Sequence, residues 1–480
     1  MNSKKISELF CLFFCICMGI YLIACDSDSS TNPTPSNELK LSSSLYEMSS
    51  SSEMNSTEIQ DSLSKISSSI NYSSSSEYEN ISSSDLTFSS SNIILQSSSS
   101  VKQISSSSSE LLKYSSSSKH EIPKSSKGEP PLDFSFYHGA DISTVQEYER
   151  FNAKFYDTQK RETDIFTLLK SYGFNAIRIR TFVSPSEKYG YAYEGCDHSA
   201  ESYGDKNHIL KFAKKIKEAK MAFLLDLHYS DNWADPAKQI IPTRWRHVKN
   251  SEELKDSIYH YTYDLLSALK AQNTMPDMVQ IGNETTPGIL IHLPTSETNC
   301  WGENLQKAPD IISGDMSTNM GKSNAAKYFK AGIKAVKDVS QKTKTVLHIE
   351  SIKNKNTVNW WMKEIFEIQK VNADVMGFSA YTAYGDGTPN QWMDLFKSLT
   401  QKYPNLEFIV AEYNGGDSKG HYNFDGTRNL THELVKSIKG FIGAFFWEPT
   451  LSGEWGAPLF DWEGPNLYAN PKAFEEYKLK

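Results

Sequence analysis

The hydrophobic pattern divides the chain into three stretches. Residues 9–24 form a nearly unbroken apolar run behind Lys4 and Lys5, residues 26 to about 128 carry isolated apolar positions in a polar background, and beyond 131 apolar residues return in short, evenly spaced clusters. In this last stretch, runs rich in Val, Ile, Phe and Leu occur at 136–143, 176–183, 222–230, 277–284, 345–351, 373–381, 407–414 and 443–450. Their length and composition predict strands. Between them, apolar residues recur at three- and four-residue spacing and predict helices over 161–172, 207–220, 251–272, 325–340, 357–369, 391–403 and 429–439. Eight strands alternating with helices within about 350 residues predict an α/β domain closed as a (β/α)8 TIM barrel. An open doubly wound sheet would alternate too, but no GxGxxG or Walker loop follows the first strand, so the usual phosphate cradle of such sheets is missing.

The first two stretches predict no fold. Residues 1–24, two lysines and a short apolar run, are expected to be an export signal too short for a comfortable membrane span. The ending Leu22-Ile23-Ala24-Cys25 resembles a bacterial lipobox, which implies a lipoprotein anchored to a membrane through Cys25; a plain secretory signal is the alternative. From 25 to 130 roughly four residues in ten are serine. Such a stretch cannot bury enough apolar area to offset about 1–2 kcal/mol of backbone entropy per residue, and a disordered tether is expected. The folded domain is therefore expected over 131–480, in an exported protein held at the cell surface or released from it.

Composition narrows the partners. The 480 residues carry a formal charge of -8, with no basic field for nucleic acid, while 9 Trp, 25 Tyr and 24 Phe in a chain only 38% hydrophobic indicate an aromatic-rich folded part diluted by a polar disordered one. Three of the six cysteines, Cys11, Cys15 and Cys17, fall in the signal, leaving Cys25, Cys196 and Cys300. A Cys196–Cys300 disulfide and two free thiols are both open. No CxxC spacing suggests zinc, no cofactor motif is present, and a monomer is expected.

The chemistry lies at the ends of the predicted strands, where this barrel type carries its active site. They read Asp141; Arg178 and Arg180; Asp226 and His228; Asn283 and Glu284; His348 and Glu350; Ser379 and Tyr381; Glu412; and Trp447 with Glu448. Glu284, ending strand four after Asn283, and Glu412, ending strand seven, are two carboxyls at one barrel mouth. Such a pair suits glycosidic bond hydrolysis, one protonating the leaving oxygen and the other attacking the sugar or activating water. The acid needs a raised pKa, from burial or a neighbouring carboxylate. Arg178 could hold the other carboxyl ionised.

These residues carry a family resemblance. The Asn-Glu on strand four and Glu on strand seven resemble clan A of the glycoside hydrolases. The runs Gly139-Ala140-Asp141-Ile142-Ser143, His228-Tyr229-Ser230-Asp231-Asn232-Trp233-Ala234-Asp235-Pro236, Gln280-Ile281-Gly282-Asn283-Glu284 and Phe446-Trp447-Glu448-Pro449 more closely resemble glycoside hydrolase family 53. The resemblance implies a retaining endo-β-1,4-galactanase that cuts the (arabino)galactan side chains of pectin, with Glu284 as acid/base and Glu412 as nucleophile. It implies that Arg178 and Tyr381 orient Glu412, that Asn283 contacts a sugar 2-hydroxyl, that His228 supports the catalytic subsite and that Trp447 is a sugar platform. Trp233 is expected to line a subsite, and Asp231 to bind substrate or cap a loop.

Departures from the family pattern bear on substrate fit. Phe182 stands where strand two usually has Trp, strand six reads Ser379-Ala380-Tyr381-Thr382 instead of Ser-Tyr-Tyr-Pro, and Tyr413-Asn414-Gly415-Gly416 replaces Thr-Ala-Tyr after Glu412. A mannanase or β-glucanase of the same clan, or a glycan-binding lipoprotein without turnover, are the other readings; the opposed glutamates favour an enzyme. Some bacterial members bind calcium after strand seven, where this chain has Asp417, Asn423 and Asp425 without an EF-hand spacing.

Overall fold

The computed structural model describes residues 134–194, 203–414, 434–451 and 458–477. The expected signal, Cys25 and the serine tract lie outside these residues, as do Cys196, Asp417, Asn423 and Asp425. Eight parallel strands close a barrel: β1 (Tyr137–Asp141), β2 (Ala176–Thr181), β3 (Ala222–Leu227), β4 (Met278–Ile281), β5 (Lys344–Ile349), β6 (Val375–Tyr381), β7 (Glu407–Asn414) and β8 (Phe441–Trp447). Each pairs with its neighbour in sequence, and β8 closes onto β1 with Gly139 beside Phe445. The expected strands and barrel are all present.

Helices occupy the connections and begin where a polar side chain can take up free amides. The side chains of Asp164, Asp205, Asn250, Thr318 and Asn354 accept from backbone N–H groups at the starts of α1 (Ile165–Ser171), α2 (Lys206–Glu218), α3 (Ser251–Ala271), α4 (Asn319–Val339) and α5 (Lys355–Met362). α6 (Pro389–Lys402) opens on a Thr388–Gln391 capping box with proline in its first turn. α4 starts earlier than its apolar spacing predicts because Thr318 caps a polar first turn that carries no periodic signal. α5 runs on as a π turn, Lys363–Ile368. Of the helix expected at 429–439, residues 429–433 lie outside the description and 435–439 form turns.

The pleat sorts each strand's residues between two cores. Outward positions such as Ile177, Phe223, Val279, Leu347, Phe378 and Val410 join the main core under the helices. Inward positions including Ala176, Leu224, Met278, Val346, Ile409 and Phe445 form a second core that plugs the barrel. The plug is fitted by size: Phe445 fills the space left by Gly139, where an added Cβ would stand 2.0 Å from the Phe445 ring. Short strands in the insertions have no counterpart in the sequence pattern, among them a four-stranded sheet of Phe155–Tyr156, Glu162–Thr163, Phe460–Glu463 and Asn466–Ala469. Two to four residues are too few to show a period. Cys300 is disulfide-bonded, with its partner outside the described residues.

The Gly139–Phe445 fit predicts that Gly139→Ala destabilises the domain by about 1–3 kcal/mol in chemical denaturation. The penalty should shrink in a Phe445→Leu background; an equal penalty in both backgrounds would show that the ring does not set it.

Candidate active site

Above the apolar plug the inward positions become polar, and side chains from all eight strands meet. At the centre is Arg178 on β2, 1% exposed. Its Nη1 lies 2.6 Å from Asp141 Oδ2 on β1, and its Nη2 lies 2.8 Å from both Asp226 Oδ2 on β3 and Glu412 Oε1 on β7. Nη2 also donates to Asn283 Oδ1 at 3.0 Å, and Nε donates to Gln280 Oε1 at 3.3 Å. One guanidinium thus faces three carboxylates, which hold it firmly charged although burial opposes the charge. Asp226 is pushed up by burial but held below the usual aspartate value by Arg178 and His228.

Glu412 reaches this layer through an irregularity in its strand. Simple alternation puts Ile409 and Ala411 inside and Val410 outside, so Glu412 should follow Val410 outward. The β6–β7 register instead jumps from Phe378–Val410 to Ser379–Glu412, passing over Ala411. This bulge turns two successive residues, Ala411 and Glu412, inward and sends Tyr413 out to the main core. Glu412 is 5% exposed, and its Oε2 accepts from the Tyr381 hydroxyl at 2.7 Å.

Asn283 and Glu284 lie beyond β4 rather than within it. Gly282 (φ 82°) turns the chain out of the strand and Glu284 itself is left-handed (φ 47°), a conformation costly for a side-chain-bearing residue and characteristic of functional sites. Glu284 is half-buried, and its Oε1 accepts from Ser379 Oγ at 2.7 Å. Burial pushes its carboxyl well above the usual range, and the charges of Glu412 and Glu350 push it further, against the Ser379 hydrogen bond. Glu412 is also pushed up by burial, but Arg178 and the Tyr381 phenol pull it back. Burial thus pushes both carboxyls up, and only Glu412 has a cation and a phenol to offset it.

The other expected residues divide into those that face this layer and those that support it. His228 is buried; its Nδ1 accepts from the Ala234 amide at 2.9 Å, which leaves Nε2 to donate to Asp226 Oδ2 at 3.0 Å. Asn283 is held by Arg178 and by its own Nδ2 donating to the Ala234 carbonyl at 2.9 Å. Trp447 is half-exposed and stands edge-on to Tyr381, ring centres 6.2 Å apart. Trp233, also half-exposed, lies against the Arg180 guanidinium, whose carbon is 3.8 Å from the ring centre. Phe182, in place of the family's Trp, is buried against Trp233 and His228, so this departure acts through packing.

Of the two expectations for Asp231, the contacts match the loop cap: it is 1% exposed, and its two oxygens accept from the backbone amides of Ser184 (2.9 Å) and Thr243 (2.6 Å).

Several members of the site carry no roles from the sequence pattern. Asp141, Asp226 and Gln280 ring Arg178, while Ser379 and His348 meet Glu284. Glu448, left-handed at φ 47°, binds Arg180 and accepts from the Thr144 hydroxyl at 2.6 Å; burial pushes its carboxyl up to about 7. Their signal was the inward phase of each strand end, which marks a residue as facing the mouth but not what it touches. Among the described residues no cluster of His, Cys, Asp and Glu could hold a metal ion.

Comparison with known proteins gives a consistent match. Residues 137–476 match the model of glycosyl hydrolase family 53. The arabinogalactan endo-β-1,4-galactanase of Cellvibrio japonicus is 31% identical over 343 residues, 65% of this chain and 80% of that protein. The endo-β-1,4-galactanase of Bacillus subtilis is 28% identical over 336 residues, covering 65% and 70%. Among solved structures, the Ignisphaera aggregans GH53 catalytic domain superposes with a TM-score of 0.58 at 28% identity, over 73% of this chain and 98% of that one.

The buried charge cluster predicts the behaviour of Arg178→Met. Removing the guanidinium takes from three buried carboxylates the one counter-charge they share, leaving Asp226 with His228 and Asp141 with the more distant Arg180, and stability should fall by about 3–5 kcal/mol near neutral pH, read by chemical denaturation. The folded-state pKa of Asp226 lies below its ordinary 3.8, so its ion pair adds stability that is complete above that pH and lost as pH falls through the folded value. The deficit of the variant should therefore narrow in acid; a deficit independent of pH would indicate lost packing alone.

Proposed function

The chain belongs to glycosyl hydrolase family 53 and is a glycosidase, and on that premise we propose that it is a retaining endo-β-1,4-galactanase acting on the galactan side chains of pectin. Glu284 is the acid/base and Glu412 the nucleophile. The observation that carries the reading is the unequal treatment of two neighbouring carboxyls. Glu412 is paired to Arg178 and accepts from Tyr381, as an ionised, aimed nucleophile requires; Glu284 has only a hydroxyl donor and faces other acids, as a proton donor requires.

The steps follow from these contacts. A galactosyl unit of the polymer sits between the two carboxyls, with the half-exposed face of Trp447 as its platform. Glu412 attacks the anomeric carbon as Glu284 gives its proton to the departing glycosidic oxygen, and a galactosyl ester forms on Glu412. The charge of Glu412 is then gone, so Glu284 ionises more readily and can take a proton from water, which attacks the ester and frees both the sugar and the carboxylate. Tyr381 and Arg178 receive the released carboxylate in its starting position. Galactan as substrate is supported by the galactanases that the chain resembles.

We also propose that the protein is exported and anchored through a lipid on Cys25, the serine tract serving as a tether. A galactanase held this way would release oligosaccharides next to the cell.

Reducing-end release should be found on β-1,4-galactan and not on mannan, xylan or mixed β-glucan. Glu284→Gln should lower kcat on galactan by about 10²–10⁴-fold. Glu412→Ala should be inactive but form an α-galactosyl azide from an activated aryl substrate when azide is added. NMR of the first product from wild-type enzyme should show the β anomer; the α anomer first would overturn retention. With the anchor in place, the full chain should partition into detergent and Cys25→Ala should not; equal partitioning would remove the lipid from the reading.

A further inference from the structure

Beyond the pair itself, β5 and β6 bring together a string of hydrogen bonds that ends on the acid/base. The amide of Glu284 points at His348 Nδ1 at 3.4 Å, and Gln280 Nε2 lies 3.1 Å from the same nitrogen. Asn283 Oδ1 is also 2.9 Å from Nδ1, the shortest contact of that nitrogen, and accepts from Arg178 Nη2 at 3.0 Å. The backbone amide proton of Glu284 has a fixed position and is aimed at Nδ1, so the relay takes Nδ1 as its acceptor and the ring's proton on Nε2. His348 Nε2 then donates to Ser379 Oγ at 3.0 Å, and the one proton of that hydroxyl is left for Glu284 Oε1 at 2.7 Å. His348 is fully buried beside Arg178, which keeps the ring neutral, as this direction of donation requires.

We propose that His348 and Ser379 form a one-way hydrogen-bond relay that reserves Oε1 of Glu284 as an acceptor, so that the proton passed to the leaving group is carried on Oε2. The inference rests on Glu284 being the acid/base. Ser379 and His348 touch neither substrate nor reacting atoms; they are positioning residues. The β6–β7 bulge that turns Glu412 inward also sets Ser379 beside it in the register. With Oε1 occupied, a protonated Glu284 has one oxygen left on which to hold its hydrogen. After the proton leaves, the same donor steadies the carboxylate until it takes a proton from water.

The charged and titratable groups facing Glu284 are Glu412 on β7, Glu350 beyond β5, Asp235 in the loop after β3, and Tyr381 and Tyr384 at the end of β6, with Arg178 reaching it through Asn283 and Glu412. None is altered by substitution of Ser379, so a change in the pH profile reports the hydroxyl. A donor to a carboxylate favours its charged form, and its removal raises the pKa.

The test is the alkaline limb of kcat/KM on galactan, which reports the acid in the free enzyme. Ser379→Ala should move that limb upward by about one pH unit and lower kcat about tenfold, with KM within about twofold. Ser379→Thr, which keeps a hydroxyl, should restore the wild-type limb, and Ser379→Cys, which keeps the volume with a weak donor, should resemble Ser379→Ala if the latter folds poorly. A limb that stays in place in Ser379→Ala and Ser379→Cys, or moves downward because the hydroxyl accepts from Glu284 rather than donating to it, overturns the relay. If Glu284→Gln is fully active, the acid/base reading fails instead, whatever Ser379 does; if Glu284→Gln is inactive and the limb does not move, only the relay fails.

Discussion

The carboxylates at the centre of the barrel mouth are referred to one buried cation, Arg178. Arg178 is withdrawn from water, an unfavourable place for a charge unless its partners replace the lost hydration. They are carboxylates from β1, β3 and β7 and side-chain amides on β4 and just beyond it, so the guanidinium ties together strands that share no direct pairing. Removing it would leave several acids buried without compensation; removing any one acid would leave the others to crowd it less. The cluster is therefore both a structural tie and the source of the electrostatic asymmetry at the mouth.

That asymmetry is what two glutamates in one cleft need if they are to do different work. Burial acts on both in the same direction and cannot distinguish them. The difference comes from what each touches: a guanidinium and a phenol for Glu412, a single hydroxyl and further negative charge for Glu284. In the proposed reaction the asymmetry is temporary, because esterification of Glu412 removes the charge that kept Glu284 protonated. The same geometry can then support proton donation in one half of the cycle and proton removal in the other.

The polar layer is possible because the apolar layer beneath it is complete. Ala176, Leu224, Val346 and Phe445 fill the lower barrel, so the charged groups stand on a dry floor and their interactions are little screened. Left-handed Glu284 and Glu448, and the bulge at Ala411, are local departures from regular geometry confined to the rim. The closed ladder of the barrel below them bears the cost.

The amino-acid sequence by itself determined the alternation of strands and helices, hence the barrel, because the two-residue and 3.6-residue periods are local and repeat often enough to be read. It also placed acids, amides and aromatic rings at strand ends, and its longer motifs were sufficient to point to the family. The tertiary structure alone decided which atoms meet. Arg178 binds Asp141 from 37 residues away and Asn283 from 105 away, distances over which no local period carries information. Asp231 is typical of a sugar ligand by type and position, yet the closing of two loops around it turns it into a cap. By the period of its own strand, Glu412 belongs on the outside; it faces the mouth because the register with β6 passes over one residue, and pairing register is a property of two strands, not of either sequence alone.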